Sequence, residues 1–393
     1  MLTSIAVILL LGLLVGWLFS RMKLPSLLGM IIVGIILSPQ CLNVIDESFL
    51  AISGDLRQIA LVIILTRAGL SLNLSDLKMV GRPALLMCFV PACVEMTGII
   101  IFAPLMLGVS FLEAAIIGSV MAAVSPAVVV PRMIRLMDEG YGTNKSIPQM
   151  ILAGASVDDV FVIVVFTALT TLASTGKISV VSFFQIPTSI LLGVVLGCLA
   201  GWILVWFFRK HHMRDSVKVL IILSISFLLL ELQNRLEGVI SISGLLAIMS
   251  MGIFVNQKYS VLATRLSVKY NKLWLGAEIF LFVLVGTAVD LKYALSAGFM
   301  VVLLIVLGLL FRMVGVLLSL TKTKLNSKER LFCAIAYTPK ATVQAAIGTI
   351  PLTMGLACGD MVLTVAVVSI LLTAPFGAIG VDNLYKKLLP KQK

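Results

Sequence analysis

The chain has 393 residues, 60% of them hydrophobic and 12% charged, with a mean hydropathy of +1.14 and a formal net charge of +12. A soluble domain of that composition would present an apolar surface and aggregate, so the solvent that suits this chain is lipid. Its basic residues lie between apolar runs, which excludes a nucleic-acid patch and reads as topology signals and contacts to anionic lipid headgroups.

A hydrocarbon core about 30 Å thick needs roughly 20 apolar residues per helix. The N-terminal run carries its charges, Arg21 and Lys23, after the apolar stretch and has no small-residue cleavage site. It therefore reads as a retained span over 3–20 and not as a signal peptide. Further spans are expected at 24–38, 57–73, 83–108, 111–132, 148–174, 186–208, 216–234, 239–255, 271–290, 295–320, 330–354 and 361–383, thirteen in all. The expected fold class is an all-α polytopic membrane protein, one transporter domain over 1–393 with no soluble module, no cofactor and no enzymatic site. Six cysteines without a CxxC or metal-like spacing read as small buried hydrophobes.

Loop charges orient the spans. Of the thirty basic residues, 23 fall in the odd-numbered connections and the C-terminus, and four (Arg57, Lys177, Arg235 and Lys292) in the even-numbered ones. The positive-inside rule then places the C-terminus in the cytoplasm and the N-terminus outside. Arg209, Lys210, His211 and His212 form a solvated interfacial loop on the cytoplasmic side.

Three landmarks recur at a nearly constant offset along the chain. LLGMIIVGIIL around Gly29 resembles SGLLAIMSMGI around Gly244, TRAGLSLNLSDLK at Gly69 resembles VGTAVDLKYAL at Gly286, and VSPAVVVP at Pro126 resembles YTPKATV at Pro339. The landmarks point to a duplication, with repeats over about 24–174 and 239–383. Seven spans separate the paired landmarks, an odd number, so the copies run in opposite directions, an architecture of secondary transporters with the site where the repeats meet. Pro126 and Pro131 interrupt the fifth span, and Pro339 and Pro351 the twelfth. Two corresponding broken helices are expected to cross there, because unwound backbone at membrane depth persists only in a cavity or buried in protein.

The sixth span carries Asp158 and Asp159 about 15 Å from its cytoplasmic start, and Lys340 in the twelfth lies at similar depth. Charges there are costly and mark function. Adjacent helical residues point about 100° apart, so one aspartate can face Lys340 and the other a cavity. Ser125, Ser156, Thr338 and Thr342 offer neutral oxygens nearby. A hard monovalent cation wants such oxygens, and burial favours the protonated acid, so proton and cation can compete for one carboxylate. An ammonium that pairs with the other carboxylate and releases its proton when the cation arrives makes the expected exchange electrogenic, two protons for one cation. Glu95 and Arg312, near partners at the repeat offset, are expected to form a structural ion pair, and Arg67 with Glu278 a second one. An intramembrane aspartyl protease would need its two acids on separate helices, and here they are adjacent.

GASVDDV together with TPKATVQAA resembles the sodium/proton antiporters of the cation/proton antiporter superfamily, in the branch with an Asp-Asp pair and a lysine in the second broken helix. The resemblance covers essentially the whole chain. It implies Na⁺ bound at Asp159 and Asp158, with Asp159 the principal ligand, Asp158 the partner of Lys340, and the backbone near Val124 and Ser125 facing the site. It also implies a homodimer in which core helices, here about 83–174 and 295–383, move like an elevator against a dimerisation scaffold. The short basic C-terminus in place of long regulatory tails points to a prokaryotic plasma membrane. A K⁺/H⁺ antiporter and a sodium-coupled solute symporter of similar fold are the alternatives.

Overall fold

The computed structural model describes residues 1–72, 81–174, 180–236 and 242–391; the side chains of residues 156, 180–187 and 291–297 lie outside the described set. Of the residues singled out above, Lys177 and the side chains of Ser156 and Lys292 therefore lie outside it. The described residues are nearly all helical, with one isolated antiparallel bridge between Tyr141 and Lys391.

In chain order the helices are α1 (Leu2–Arg21), α2 (Ser26–Leu37), α3 (Glu47–Ala51), α4 (Ser53–Ser71), α5 (Arg82–Met87), α6 (Val90–Leu107), α7 (Phe111–Met121), α8 (Pro126–Glu139), α9 (Ile147–Ser174) and α10 (Val180–Lys210). They continue as α11 (Asp215–Leu236), α12 (Gly244–Lys258), α13 (Ser260–Thr287), α14 (Leu291–Ser319), α15 (Ser327–Ala336), α16 (Thr342–Ile347), α17 (Ile350–Thr353) and α18 (Gly359–Leu388). Over its described residues, each segment picked out from hydropathy is mainly helical. By length and composition, seven helical stretches of the described residues suffice to cross a membrane: Leu2–Arg21, Arg82–Leu107, Phe111–Glu139, Ile147–Ser174, Thr188–Lys210, Gly298–Ser319 and Gly359–Leu388. Cys41 and Cys93 are exposed, whereas Cys88, Cys333 and Cys358 are buried as expected of small hydrophobes.

The fifth and twelfth segments are each interrupted: helix stops at Met121 and resumes at Pro126, and stops at Ala336 and resumes at Thr342. Each broken segment opens with a capping box. Ser110 and Glu113 exchange side-chain and backbone bonds at the start of α7, and Asn326 and Glu329 do so at the matching place in the second repeat, the start of α15. A box satisfies two of the amides that a helix start leaves open.

The chain divides into two compact units. The first comprises Met1–Gly54, Leu74–Val162 and Leu281–Lys393, the second Asp55–Asn73 and Ile163–Phe280. Within the first, α2 meets the end of α13 where Gly34 and Gly286 approach so closely that a side chain on either would collide with the other helix's backbone. Within the second, α4 meets α12 through Gly69 and Gly252, and a Cβ on Gly69 would lie 2.5 Å from the Met249 carbonyl oxygen. Across the repeat offset, Gly34 corresponds to Gly252 and Gly69 to Gly286. The helix that carries Gly34 thus packs on the one that carries Gly286, and the offset-related helices that carry Gly252 and Gly69 pack in the same way. Small residues of this kind let helix backbones approach where lipid supplies no hydrophobic drive for association.

These contacts set a test. Gly34→Val and Gly69→Val should each lower thermal stability in detergent by more than the roughly 1–3 kcal/mol usual for overpacking, because backbone and not a flexible side chain stands in the way. Gly54→Ala, at a glycine with open space around it, should leave stability nearly unchanged. Equal melting of all three variants would contradict the role of the glycine pairs.

Candidate functional site

Breaking a helix leaves donors and acceptors that must find partners. In an unbroken fifth segment the Val124 amide would pair with the Val120 carbonyl and Ser125 with Met121, and Pro126 can offer the Ala122 carbonyl nothing. Here the Val124 N–H donates to Asp158 Oδ2 at 2.8 Å. The Ser125 N–H donates to the Pro339 carbonyl at 2.8 Å, which ties the first break directly to the second. The carbonyls so deserted are served by side chains. Gln344 Nε2, on α16, donates to Val120 (3.2 Å), Met121 (3.4 Å) and Ala123 (2.9 Å), and Arg312 Nη1, on α14, donates to Ala122.

The second break is satisfied in the same manner. Arg312 Nε donates to the Tyr337 carbonyl at 2.6 Å, and the Lys340 amide donates to Thr373 Oγ1, on α18, at 2.9 Å. Gly377, one turn beyond Thr373, has no side chain because the Pro339 ring occupies the space. Asp158 and Thr373 play equivalent parts in the two repeats, each taking a free amide of the break before it. Arg312 donates to a carbonyl of both breaks.

The charged groups form one fully buried chain: Asp158, Arg312, Glu95 and Lys340. Arg312 Nη2 lies 3.0 Å from Asp158 Oδ2 and Nη1 lies 2.9 Å from Glu95 Oε2. The Lys340 ammonium lies 2.7 Å and 2.8 Å from the two oxygens of Glu95. Two cations thus balance two anions. Asp159 is left over. It is partly buried and has no hydrogen-bond or ion-pair partner among the described residues, and its Oδ1 is shielded from solvent. Asp158 Oδ1, Ser125 Oγ and Gln344 Oε1 are likewise buried without partners. An unsatisfied buried polar atom costs about 1–3 kcal/mol, so oxygens left open on the residues of one crossing call for a reason other than stability. A small hard cation, which takes oxygen ligands, is such a reason.

One expectation needs correction. Lys340 does not pair with Asp158; its ammonium sits on Glu95, and Asp158 is taken by Arg312. The expected Glu95–Arg312 pair is formed, and it connects Lys340 on one side to Asp158 on the other. Thr338 donates its hydroxyl locally to the Ile335 carbonyl at 2.8 Å, and the amide of Val124 is already taken by Asp158, whereas the hydroxyl of Ser125 is free. In the second unit Arg67 and Glu278 are near enough to interact electrostatically but form no ion pair within 4 Å. Gln344 and Thr373 were missed. Gln344 stands inside the TPKATVQAA motif as a polar residue in an apolar run, and Thr373 sits at the repeat offset from Asp158, so both signals were present.

Over residues 6–387 the chain matches the family model described as sodium/hydrogen exchanger, transmembrane. It is similar to sodium/hydrogen exchanger 9B2 of Mus musculus, 31% identical over 398 residues that span 96% of this chain and 72% of that protein. For the Homo sapiens 9B2 protein the identity is 32%, over 94% of this chain and 70% of that one. For Homo sapiens sodium/hydrogen exchanger 9B1 it is 31%, over 94% and 73%. In fold the chain is similar to the sodium proton antiporter MjNhaP1 of Methanocaldococcus jannaschii at pH 8, with a TM-score of 0.84 at 22% identity over 98% of both chains.

The buried chain of charges makes a prediction about rescue. Glu95→Gln strands two cations and should cost about 3–5 kcal/mol. Adding Lys340→Met should recover much of that loss, since among the described residues the ammonium bonds to Glu95 alone. Adding Arg312→Gln should recover little, because it strands Asp158 and uncaps both breaks. Thermal unfolding of the two double variants in detergent decides; better rescue by Arg312→Gln would mean that Glu95 and Arg312 are a self-contained pair.

Proposed function

Because this chain belongs to the transmembrane sodium/hydrogen exchanger family, we propose that it is a multi-pass membrane antiporter exchanging Na⁺, or Li⁺, for H⁺ at Asp159. The observation that carries the reading is the unpartnered carboxylate of Asp159 beside four buried charges that already cancel. Asp159 can hold a proton or balance a cation, but not both. If the loaded states reorient and the bare carboxylate does not, competition for the one group couples the two fluxes. Asp158 serves the site by holding the Val124 amide and Arg312, while its unpartnered Oδ1 and the Ser125 hydroxyl are candidates to complete a cation's oxygen shell.

The same charge balance bears on the exchange ratio. The two-for-one ratio expected from the sequence needs Lys340 to release its proton when a cation displaces it from Asp158. With the ammonium on Glu95, a cation arriving at Asp159 breaks no pair of Lys340. Asp159 alone then alternates between proton and cation, and the ratio proposed is one for one. Alternating access by an elevator movement of the site-bearing helices, a homodimeric assembly contacting membrane lipids, and residence in a plasma membrane with the C-terminus in the cytoplasm complete the proposal.

Asp159→Asn tests it. The side chain is nearly isosteric, so the variant should fold and melt close to the unchanged chain. It can neither carry the proton nor balance the cation, so Na⁺-driven proton release in proteoliposomes should vanish. Robust exchange by a well-folded Asp159→Asn protein would remove the assignment.

A further inference from the structure

Gln344 has a place in the crossing that ion binding at Asp159 does not explain. It is fully buried on the short helix α16, and its amide nitrogen reaches out of the second repeat to three carbonyls of the first, those of Val120, Met121 and Ala123. Those carbonyls are free because the natural partners of the first two were diverted: the Val124 amide went to Asp158 and the Ser125 amide to Pro339. The side chain thus caps the end of α7 from a different helix, where the negative end of the helix dipole gathers. Its own carbonyl oxygen is buried without a partner. A methionine would fill much the same volume with no orphan oxygen, so packing alone does not account for an amide here.

We infer that Gln344 is a positioning residue for cation selection: by holding the Val120, Met121 and Ala123 carbonyls it keeps them out of the cation's coordination shell. The inference rests on the proposed Na⁺/H⁺ exchange. Selectivity among monovalent cations depends on how many carbonyl dipoles can reach the ion and how rigidly the cavity holds them. With three carbonyls clamped, the shell offered is small and set by Asp159 and its neighbours, which suits a small cation. With them released, more oxygens can swing toward an ion, and a larger one gains more from them.

Two variants of the full chain in proteoliposomes separate this from a structural role. Gln344→Met removes the donor, and the preference for Na⁺ over K⁺ should narrow roughly tenfold, the factor that one hydrogen bond's worth of free energy makes in an equilibrium. Gln344→Glu keeps the shape. Protonated, it still donates one hydrogen bond; ionised, it repels the three carbonyls. Its Na⁺ exchange relative to the unchanged chain should therefore fall as pH rises, and this readout stands even if the methionine variant fails to fold. If both variants lose activity equally for Na⁺ and K⁺, or if the glutamate variant tracks the unchanged chain at every pH, Gln344 is a structural cap only. Absence of exchange by the unchanged chain would instead overturn the proposed function itself, a result distinguishable from either.

Discussion

Unwound backbone inside lipid has no water to bond with, and that constraint organises this molecule. Two helices stop and restart within the first unit, so their free amides and carbonyls must be met by protein groups at the same place. The solution is mutual. The breaks bond to each other through Ser125 and Pro339, and Asp158, Thr373, Gln344 and Arg312 supply the remaining partners. A site assembled in this way is held by both broken helices at once.

The constraint also explains why so many charges are buried together. A guanidinium has five donors in a fixed fork, and Arg312 uses them on one carbonyl of each break, on Glu95 and on Asp158. Satisfying backbone with a cation imports a charge, and that charge demands anions. Glu95 meets it and also accepts Lys340, while Asp158 meets it and also accepts the Val124 amide. The network closes with no net charge. Asp159, one residue beyond Asp158 and turned to another side of α9, is excluded from it and stays available to a mobile ion.

Much of this was legible beforehand. Hydropathy located the helices because lipid demands long apolar runs. The repeat offset located both breaks because a proline stands at each, Pro126 where the first helix restarts and Pro339 inside the second gap. Asp158 and Asp159 stood out because carboxylates are costly in a membrane. The pairing of charges was not legible. Lys340 has two acidic neighbours in the same region, and sequence gives depth along a helix but not which way a long side chain turns. Arg312 settles that choice by occupying Asp158, and its claim comes from backbone carbonyls that exist only once both helices have unwound. Gln344 was legible as a polar residue in an apolar run but its role was not, since its three acceptors become free only through the crossing.

In the proposed exchange the four buried charges balance one another and Asp159 alone alternates between proton and cation. Its most direct test is transport by the purified chain in proteoliposomes whose membrane potential is clamped with potassium and valinomycin. With Lys340 held by Glu95, exchange should be indifferent to the imposed potential and should reverse where the sodium and proton gradients are equal. Flux driven by voltage alone, reversing where two protons balance one sodium, would show instead that Lys340 gives up its proton during the cycle.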